Sequence, residues 1–322
     1  MLADVKRTAG PLEEGRAMRA VRFHQYGPPE VLRYEEVPDP VPGDGEVVVE
    51  VAAAGIGYTD VQLRAGALGD WMPDLPMPFA PGHEVVGTAG GRRVLAQVMG
   101  GGYAERVAAP AAALVPVPDG IGDHEALALL TQGTVAVGLL DVARVEKGES
   151  VLVEAAAGGV GSLLVQLAAR AGARVVAGVR GEREAELVRS LGADETVDLE
   201  RDEWEFGPVQ AVFESIGGQV TRKALERLEP VVGRMVLYGN VSGVPHEIDS
   251  GLLYRRALSV LAFATALMPP ERIAPLRERA FDLAARGELN PVIGSARPLA
   301  EAAEAHRAFE ERTTIGKNVL LP

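Results

Sequence analysis

The sequence contains no cysteine among its 322 residues. Disulfide bonds, thiolate catalysis and cysteine-ligated zinc are therefore excluded. Aromatic residues are also scarce, at 5% of the chain, whereas hydrophobic residues make up 47% and charged residues 24%. The last two values are ordinary for a globular protein, and the length is sufficient for two domains with separate cores.

Basic clusters and long apolar runs are missing as well. The formal net charge is −13, and no block of Lys and Arg reverses it locally, which argues against a nucleic-acid partner. No apolar stretch reaches the ~18 to 20 residues that span a bilayer, because runs such as 258–268 stop at Pro269 and Pro270. Residues 1–17 carry charges and have no apolar centre, unlike a secretory signal. We expect a cytoplasmic protein without a membrane partner, in which 1–17 form a disordered tail.

The spacing of turns and apolar residues divides the rest of the chain into two regions. From 18 to about 117, short β-like runs alternate with Gly and Pro clusters, and 47–52 is the clearest strand. From about 123, apolar strands alternate with amphipathic segments, which is typical of βαβ units and a parallel sheet. A last helix over 270–286 precedes a strand-like tail. Six strands, the number in a full Rossmann sheet, are predicted at 151–154, 174–179, 195–198, 209–213, 234–238 and 258–263.

The strongest local pattern is VLVEAAAGGVG at 151–161, a strand that runs into a glycine turn and then a helix. Gly158 would let the backbone approach a pyrophosphate, and Gly161 would let the helix pack close to its strand. Free amides at the helix start would bind the anion. Ala155 stands where the G-x-G-x-x-G pattern has its first glycine. A tight turn without a ligand is the alternative, but the surrounding strands favour a bound dinucleotide.

The end of the second strand indicates which dinucleotide is bound. About 20 residues past the turn, NAD-binding proteins carry an Asp or Glu for the ribose 2′-hydroxyl. Here the sequence is GVRGER at 178–183, with no acid at the tip. Arg180 and Arg183 are able to bind a 2′-phosphate as charge-assisted donors. Two solvated arginines with Glu182 between them are the alternative, and we expect NADPH as the cofactor.

A series of short motifs extends this pattern over nearly everything after Met18: AGIGYTD at 54–60, PGHEVVG at 81–87, GYAE at 102–105, QG at 132–133, the glycine turn, LGAD at 191–194, SIGG at 215–218, GN at 239–240 and GK at 316–317. In this order they resemble the quinone oxidoreductase (zeta-crystallin-like) branch of the medium-chain dehydrogenase/reductases, a zinc-independent branch. Several motifs in one order are far more specific than any one of them.

The resemblance implies an α/β protein with a six-stranded parallel Rossmann sheet and a GroES-like β-rich catalytic domain. The catalytic domain is expected at 18–123 and 266–322, and the Rossmann dinucleotide-binding domain at 124–265. Homodimerisation through the sheet edge at 258–263 is also implied. The positions that match the family's cofactor contacts are Gly158, Gly159, Val160, Gly161, Arg180, Tyr238, Gly239, Asn240 and Lys317. The charge at the end of the second strand adds Arg183 to these candidates.

Zinc alcohol dehydrogenases belong to the same superfamily, and His83 resembles the histidine ligand of their catalytic zinc. That site also needs thiolates, and the position matching the first cysteine is Gly57. His83, Glu84 and Asp60 are able to form a weaker oxygen and nitrogen site. A hydrogen-bonded His83, with Glu84 paired to a backbone or Arg group, is the favoured interpretation. We therefore expect no metal.

Without a metal, the chemistry most easily supported is hydride transfer to an electrophilic small molecule, such as a quinone or an activated enone. A hydrogen-bond donor near the acceptor oxygen would stabilise the developing negative charge. Tyr58 is the first candidate, and Arg64 and His83 are the others. The alternatives are a packed Tyr58 with no role in the reaction and an Arg64 paired with Asp60 on the same helix.

Three positions depart from the family near the acceptor. Gly57 replaces a usual asparagine, Gln62 a usual aromatic residue and Val135 a usual threonine. The fold and the cofactor do not depend on these positions, but the acceptor specificity does. An enoyl-thioester reductase and an NADPH-binding protein without turnover therefore stay open beside the quinone or enone reductase.

Overall fold

The computed structural model describes residues 16–69 and 75–322. It divides the chain into two compact units: the first is Met1–Leu130 with Ile293–Pro322, and the second is Thr131–Val292. Of the predicted tail, residues 1–15 lie outside the described ranges. Its end is placed differently, because Ala17 already belongs to the first strand.

The first unit contains most of the strands and a minority of the helices. Its strands are β1 (Ala17–Arg22), β2 (Arg33–Pro38), β3 (Glu46–Ile56), β4 (Glu84–Ala89), β5 (Arg92–Gln97), β6 (Arg106–Pro110), β7 (Val115–Pro116), and, numbered after those of the second unit, β14 (Ile293–Pro298) and β15 (Lys317–Leu321). Its helices are α1 (Tyr58–Ala65), α2 (Asp123–Ala128) and α9 (Ala302–Glu310).

The second unit alternates strands and helices. Its strands are β8 (Ser150–Val153), β9 (Arg174–Val179), β10 (Glu195–Asp198), β11 (Ala211–Glu214), β12 (Arg234–Leu237) and β13 (Ser259–Ala262). Its helices are α3 (Thr134–Ala143), α4 (Gly159–Arg170), α5 (Gly181–Ser190), α6 (Gln219–Arg227), α7 (Ser250–Arg256) and α8 (Pro270–Ala285).

The long strand β3 organises the first unit. It pairs with β4, β6 and β15 in a sheet ordered β14-β15-β3-β4-β5-β7, and β1 and β2 form a separate antiparallel pair. Val47, Val49 and Val51 alternate with more exposed residues, so their side chains share the buried face of the strand. These valines pack in one core with Phe23 and Leu320.

The second unit is a parallel sheet ordered β10-β9-β8-β11-β12-β13. In chain order its strands lie 3-2-1-4-5-6, the Rossmann arrangement. The central strands are Val-rich and buried on both faces because helices cover both sides of such a sheet. The predicted six-stranded parallel sheet is therefore confirmed.

The boundaries of the two units differ from the predicted domain limits of 123 and 266. Helix α2 lies in the first unit, where it packs on β3 and β4. Helix α8 lies in the second unit because it packs against α3, so the first unit resumes only at Ile293. The predicted strand-like tail also contains α9, whose buried Ala302, Ala305 and His306 have helical spacing. Small alanines make this apolar stripe weak in the sequence.

One helical stretch, Asp123–Ala143, is long and apolar enough to cross a membrane, contrary to the expectation from the sequence. It forms because a π-helical turn at Leu129–Gly133 joins α2 to α3. Inside the protein, 67% of its most apolar window is buried. Core helices of soluble proteins have the same properties, so the stretch is weak evidence for a membrane span.

The turn between β8 and α4 is tightly packed and strained. A Cβ atom on Gly161 would lie 2.3 Å from the Ala155 carbonyl oxygen and 2.7 Å from the Ala156 Cα. Only glycine is compatible with this approach of helix to strand. Ala155 has a φ of 45°, in the left-handed region, and its side chain is exposed. An L-residue other than glycine is strained in this conformation.

We expect Ala155→Gly to stabilise the protein by about 0.5 to 1 kcal/mol, because relief of the left-handed strain exceeds the entropy that glycine adds to the unfolded chain. Urea denaturation of the two proteins measures the difference. Ala169→Gly, within α4, is the control and should destabilise by up to about 1 kcal/mol. Destabilisation by both substitutions would contradict the strain at Ala155.

Candidate active site

The glycine turn lies at the carboxyl edge of the sheet in the second unit. Helix α4 begins at Gly159, directly after β8, and the predicted residues Gly158, Gly159, Val160 and Gly161 form its start. The first amides of a helix have no acceptor within the helix and carry a partial positive charge. Strand order reverses between β8 and β11, and ligands of such sheets bind at this switch point. This is a suitable place for a diphosphate.

The loop after β12 reaches the same edge, because the carboxyl ends of parallel strands lie together. Val241 and Ser242 donate backbone hydrogen bonds of 2.9 Å each to the carbonyls of Ser215 and Ile216, in the loop after β11. The predicted Tyr238, Gly239 and Asn240 immediately precede this contact. The structure therefore brings these three residues to the same edge as the glycine turn.

Burial raises the pKa of Tyr238, and the nearby Glu154 and Glu214 raise it further against the opposing hydrogen bond with Ser215. Its hydroxyl therefore stays protonated at neutral pH and is able to act as a hydrogen-bond donor.

Arg180 and Arg183 lie at the junction of β9 and α5, as predicted, but Arg180 has a partner that the sequence did not indicate. Its guanidinium pairs with Glu200, which lies just beyond β10. Arg183 is exposed. Glu182, which weakened the argument for a phosphate site, pairs with Arg189 at 2.5 Å. Arg180 and Arg183 thus both lie past the second strand. The carboxylate that would compete with a 2′-phosphate for Arg180 is that of Glu200.

Lys317 is a buried residue. It lies on β15 in the first unit, is 2% exposed, and forms a buried ion pair with Glu84. Its ammonium group also donates to the Ile56 carbonyl at 3.2 Å. The ammonium group is thus held by partners within the first unit, and the assignment of Lys317 to the cofactor stays a prediction. Glu84 pairs with this lysine, a partner that the sequence did not indicate.

Arg64 is also a structural residue. It is 0% exposed and donates to the Gly27 carbonyl and to Glu310. These bonds join α1 to α9 within the first unit. The alternative pairing with Asp60 is wrong, because the guanidinium is directed to Glu310 on α9. The role in the reaction stays a prediction that this burial does not favour.

Asp60 and His83 form a dyad at the start of α1. The His83 Nδ1 lies 2.5 Å from Asp60 Oδ1. The same Asp60 oxygen accepts from the Gly82 amide at 3.0 Å, and Oδ2 accepts from the Gly57 amide at 2.9 Å. Asp60 is buried, whereas the His83 side chain is 27% exposed. A fixed Nδ1 leaves Nε2 as the ring nitrogen that is able to meet a ligand.

The dyad favours a charged histidine. Burial lowers the pKa of His83, but the hydrogen bond to Asp60 and the charges of Asp60 and Glu84 raise it overall. For Asp60, burial raises the pKa, but the hydrogen bond and charge of His83, with the Gly57 amide, lower it overall. Protonated His83 is therefore stabilised beside ionised Asp60.

Tyr58 is the first residue of α1 and is half-buried. Burial raises the pKa of its hydroxyl, and the charge of Glu310 adds to this effect while Arg312 opposes it. The phenol is thus a neutral donor at physiological pH. It lies two residues before Asp60 on the same helix, so α1 carries both Tyr58 and the residue that holds His83.

Two known protein families match parts of this chain. Residues 43–119 match the family described as alcohol dehydrogenase GroES-like domain, and residues 191–320 match that described as zinc-binding dehydrogenase. A quinone oxidoreductase of Pseudomonas aeruginosa is 32% identical, over 94% of this chain and 99% of the relative. The chain belongs to the quinone oxidoreductase family of medium-chain dehydrogenase/reductases.

Other relatives of this family widen the range of chemistry. A 2-haloacrylate reductase of Burkholderia sp is 30% identical, over 94% of this chain and 98% of the relative. The solved structure of the quinone oxidoreductase from Thermus thermophilus, described together with its NADPH complex, is 37% identical. It matches with a TM-score of 0.80 over 95% of this chain and 100% of that one.

One of the matched family descriptions mentions zinc, and the chemistry of this family member does not fit a zinc site. Within 16–69 and 75–322, no group of three or more His, Asp or Glu residues is placed to hold a metal ion. Asp60 is occupied by His83 and two amides, and Glu84 is turned to Lys317. The absence of a metal in the working protein stays a prediction from the missing thiolates.

Two buried acids near the glycine turn were missed as site residues. Glu154 follows β8, Glu214 ends β11, and both are 0% exposed. The signal in the sequence was an acidic residue at the end of an otherwise apolar strand, which requires a partner when buried. Glu154 and Glu214 are 60 positions apart, and the Ser215 amide that Glu154 accepts from is 61 positions away, so only the sheet order brings the two acids together.

We expect Asp60→Asn to lower the pKa of His83, because the amide removes the negative charge that stabilises the imidazolium. The protein has 5 histidines, so imidazole NMR titration is able to follow each ring, and His83→Gln identifies the signal. The histidine signals other than those of His83 and the nearby His306 are internal controls. An unchanged pKa of His83 in Asp60→Asn would show that the dyad does not control its charge.

Proposed function

We propose that this protein is an NADPH-dependent oxidoreductase that transfers hydride to an electrophilic small molecule, an activated enone or a quinone, without a metal. The observation that carries the proposal is the glycine turn at the switch point of the sheet, with Arg180 and Arg183 past the second strand and no acid at its tip. Family membership supports the reaction class, and the NADPH complex of the Thermus relative supports the cofactor.

The second unit fits the dinucleotide. Gly161 allows the close helix approach that directs the first amides of α4 to one point. Arg180 would exchange its pairing with Glu200 for the 2′-phosphate of NADPH, and Arg183 would add a second charge. Tyr238 and Asn240, beside the loop after β11, would contact the same ligand.

We propose that Tyr58 and His83, both in the first unit, act on the acceptor. When bound, NADPH supplies hydride, which adds to the electrophilic carbon or ring of the acceptor. Tyr58 would donate a hydrogen bond to the acceptor oxygen, where negative charge develops. His83 would give its Nε2 proton to the reduced anion, and would recover a proton from solvent. Ionised Asp60 stabilises the imidazolium that precedes the transfer, as a buried carboxylate does for a catalytic histidine.

An activated alkene and a quinone both need one hydride and one proton, so the His83 dyad is suited to either acceptor. The 2-haloacrylate reductase among the relatives favours inclusion of activated alkenes. An enoyl thioester is the third acceptor that the same proton transfer would serve. The structure of the acceptor is therefore a question for direct assay.

We also propose that the protein is a cytoplasmic homodimer. Strand β13 is the outer strand of the sheet in the second unit. Its Leu261 is 38% exposed, and Tyr254 on the preceding helix α7 is 89% exposed. An edge strand with exposed apolar side chains requires a partner or protection, and a second copy of the chain supplies the matching edge.

The function is tested by oxidation of NADPH and NADH with a panel of quinones, enones, 2-haloacrylates and crotonyl-type thioesters. Turnover with quinones, enones or 2-haloacrylates, and preference for NADPH, are the expected results. A clear preference for thioesters would show that the acceptor is an enoyl thioester and not a quinone, an enone or a 2-haloacrylate. Tight binding of NADPH without turnover of any acceptor would instead indicate a binding protein.

Arg180→Ala should weaken NADPH binding by about tenfold or more and leave NADH binding nearly unchanged, because only NADPH carries the phosphate that forms the charge-assisted bonds. Calorimetric titration with both nucleotides measures the ratio. The control is Arg189→Ala on α5, which removes a positive charge that pairs with Glu182. Equal losses for both nucleotides in Arg180→Ala would contradict recognition of the 2′-phosphate.

His83→Gln should lower kcat by about 10²-fold or more, because glutamine has no acidic proton to give to the acceptor. The affinity for NADPH should stay the same, since no cofactor contact is proposed for His83. His24→Gln, at an exposed surface histidine, is the matched control. A kcat close to that of the unaltered protein would exclude His83 as the proton donor.

A further inference from the structure

Two glutamates lie side by side in the interior of the second unit. Glu154 follows β8, Glu214 ends β11, and these strands are neighbours in the sheet. Both side chains are 0% exposed. In the described part of the chain, neither carboxyl forms an ion pair with Lys or Arg, and the only basic side chain paired with them is His246. Two adjacent carboxylates in such a place repel each other strongly.

Glu214 holds the turn that follows β11. Its Oε1 accepts from the Ile216 amide at 3.0 Å, the Gly217 amide at 2.7 Å and the Thr221 hydroxyl at 3.1 Å. Its Oε2 lies 2.6 Å from His246 Nδ1. Both oxygens of the Glu214 carboxyl therefore have polar partners.

Glu154 holds the first residue of the same turn with fewer donors. Its Oε2 accepts from the Ser215 amide at 3.2 Å. This turn also binds the loop after β12, because the carbonyls of Ser215 and Ile216 accept hydrogen bonds from the Val241 and Ser242 amides. The two glutamates therefore support both loops beside the glycine turn.

The hydrogen-bond pattern lacks one proton. Glu154 Oε1 is buried and has no hydrogen-bond donor among the described residues, whereas Glu214 Oε2 lies beside His246 Nδ1. The pairing of Phe213 with Val153 on neighbouring strands places the glutamates that follow them side by side. A single proton on Glu154 Oε1, donated to the Glu214 carboxylate, would give this orphaned oxygen a partner. Burial and the charge of Glu214 raise the pKa of Glu154 well above its ordinary value, which agrees with this arrangement.

We propose that Glu154 and Glu214 share one proton at neutral pH, and that this protonated pair positions the 215–217 turn and the loop after β12 for dinucleotide binding. The link to affinity rests on the proposed dinucleotide site, whereas the shared proton does not. Glu154 is a positioning residue here, since it acts through the turn and is too deeply buried to touch a ligand.

Loss of the proton would place two charges together, displace the turn and weaken dinucleotide binding as the pH rises. The titratable groups that face the pair are Tyr238 from the end of β12 and His246 from the following loop. On the β9 side the nearest group to the Glu154 backbone is Gly178, which does not titrate. The raised pKa in the folded state also means that the stabilisation from neutral Glu154 is complete at low pH and is lost as pH rises through that pKa.

Infrared difference spectra of the nucleotide-free protein test the proton directly. At neutral pH the unaltered protein should show the carbonyl band of a protonated carboxylic acid, and Glu154→Gln should lack it. In Glu214→Gln the band should shift in frequency, because the acceptor of the Glu154 proton changes while burial still keeps Glu154 protonated. Glu226→Gln, on the exposed face of α6, should retain the band. Absence of the band in the unaltered protein would overturn the proposal even if NADPH binds.

The pH profile of NADPH affinity tests the positioning role. A glutamine at 154 resembles the neutral acid, so Glu154→Gln should bind NADPH as tightly as the unaltered protein near neutral pH. Above the pKa of the pair, the unaltered protein should lose affinity by up to about tenfold per pH unit, the limit for one linked proton, while Glu154→Gln should not. Titration of the NADPH phosphate is common to both proteins and cancels in the comparison.

Glu154→Ala should bind weakly at every pH, and rescue by Gln but not by Ala separates positioning from mere packing. If Glu154 causes the loss of NADPH affinity at high pH, His246→Gln should show the same loss. Identical profiles for the unaltered protein and Glu154→Gln would refute the positioning role. Failure of all variants and of the unaltered protein to bind NADPH would instead refute the proposed cofactor, while the infrared result would still decide the shared proton.

Discussion

The close approach of α4 to β8 is the constraint on which the candidate nucleotide site depends. A side chain at position 161 would collide with the Ala155 carbonyl oxygen and the Ala156 Cα. This contact directs the first amides of α4 to the carboxyl edge of the sheet. It also coincides with a strained Ala155 at the turn itself, which fits the general finding that backbone strain is retained where function requires a fixed geometry.

Burial of charge in pairs is the common feature of the first unit. Lys317 with Glu84, Arg64 with Glu310, and His83 with Asp60 each place opposite charges together below or near the surface. Buried charges need such partners because desolvation is expensive. Of these pairs, only Asp60 and His83 leave a partly exposed titratable ring. This difference separates a candidate reaction group from two structural ion pairs.

The second unit buries two carboxyl groups without a Lys or Arg partner among the described residues. Glu154 and Glu214 have like charge and no Lys or Arg partner in the described residues, so neutralisation by a proton takes the place of an ion pair. The carboxyl groups then serve as acceptors for the backbone amides of the loop after β11. Polar groups in the interior therefore organise loops at the carboxyl edge that apolar packing alone would leave without fixed partners.

The parallel sheet, the glycine turn and the exclusion of thiolate zinc could be predicted from the amino-acid sequence, because apolar periodicity, glycine spacing and composition are local properties. Which charged residues form pairs depends on the fold. The ammonium of Lys317 is drawn to Glu84 from 233 positions away, and Arg64 reaches Glu310 across 246 positions. Strand order and helix packing determine which charged side chains come within reach of each other. Residue spacing along the chain does not reveal that strand order or helix packing. For the same reason α8 joined the second unit, through its contact with α3.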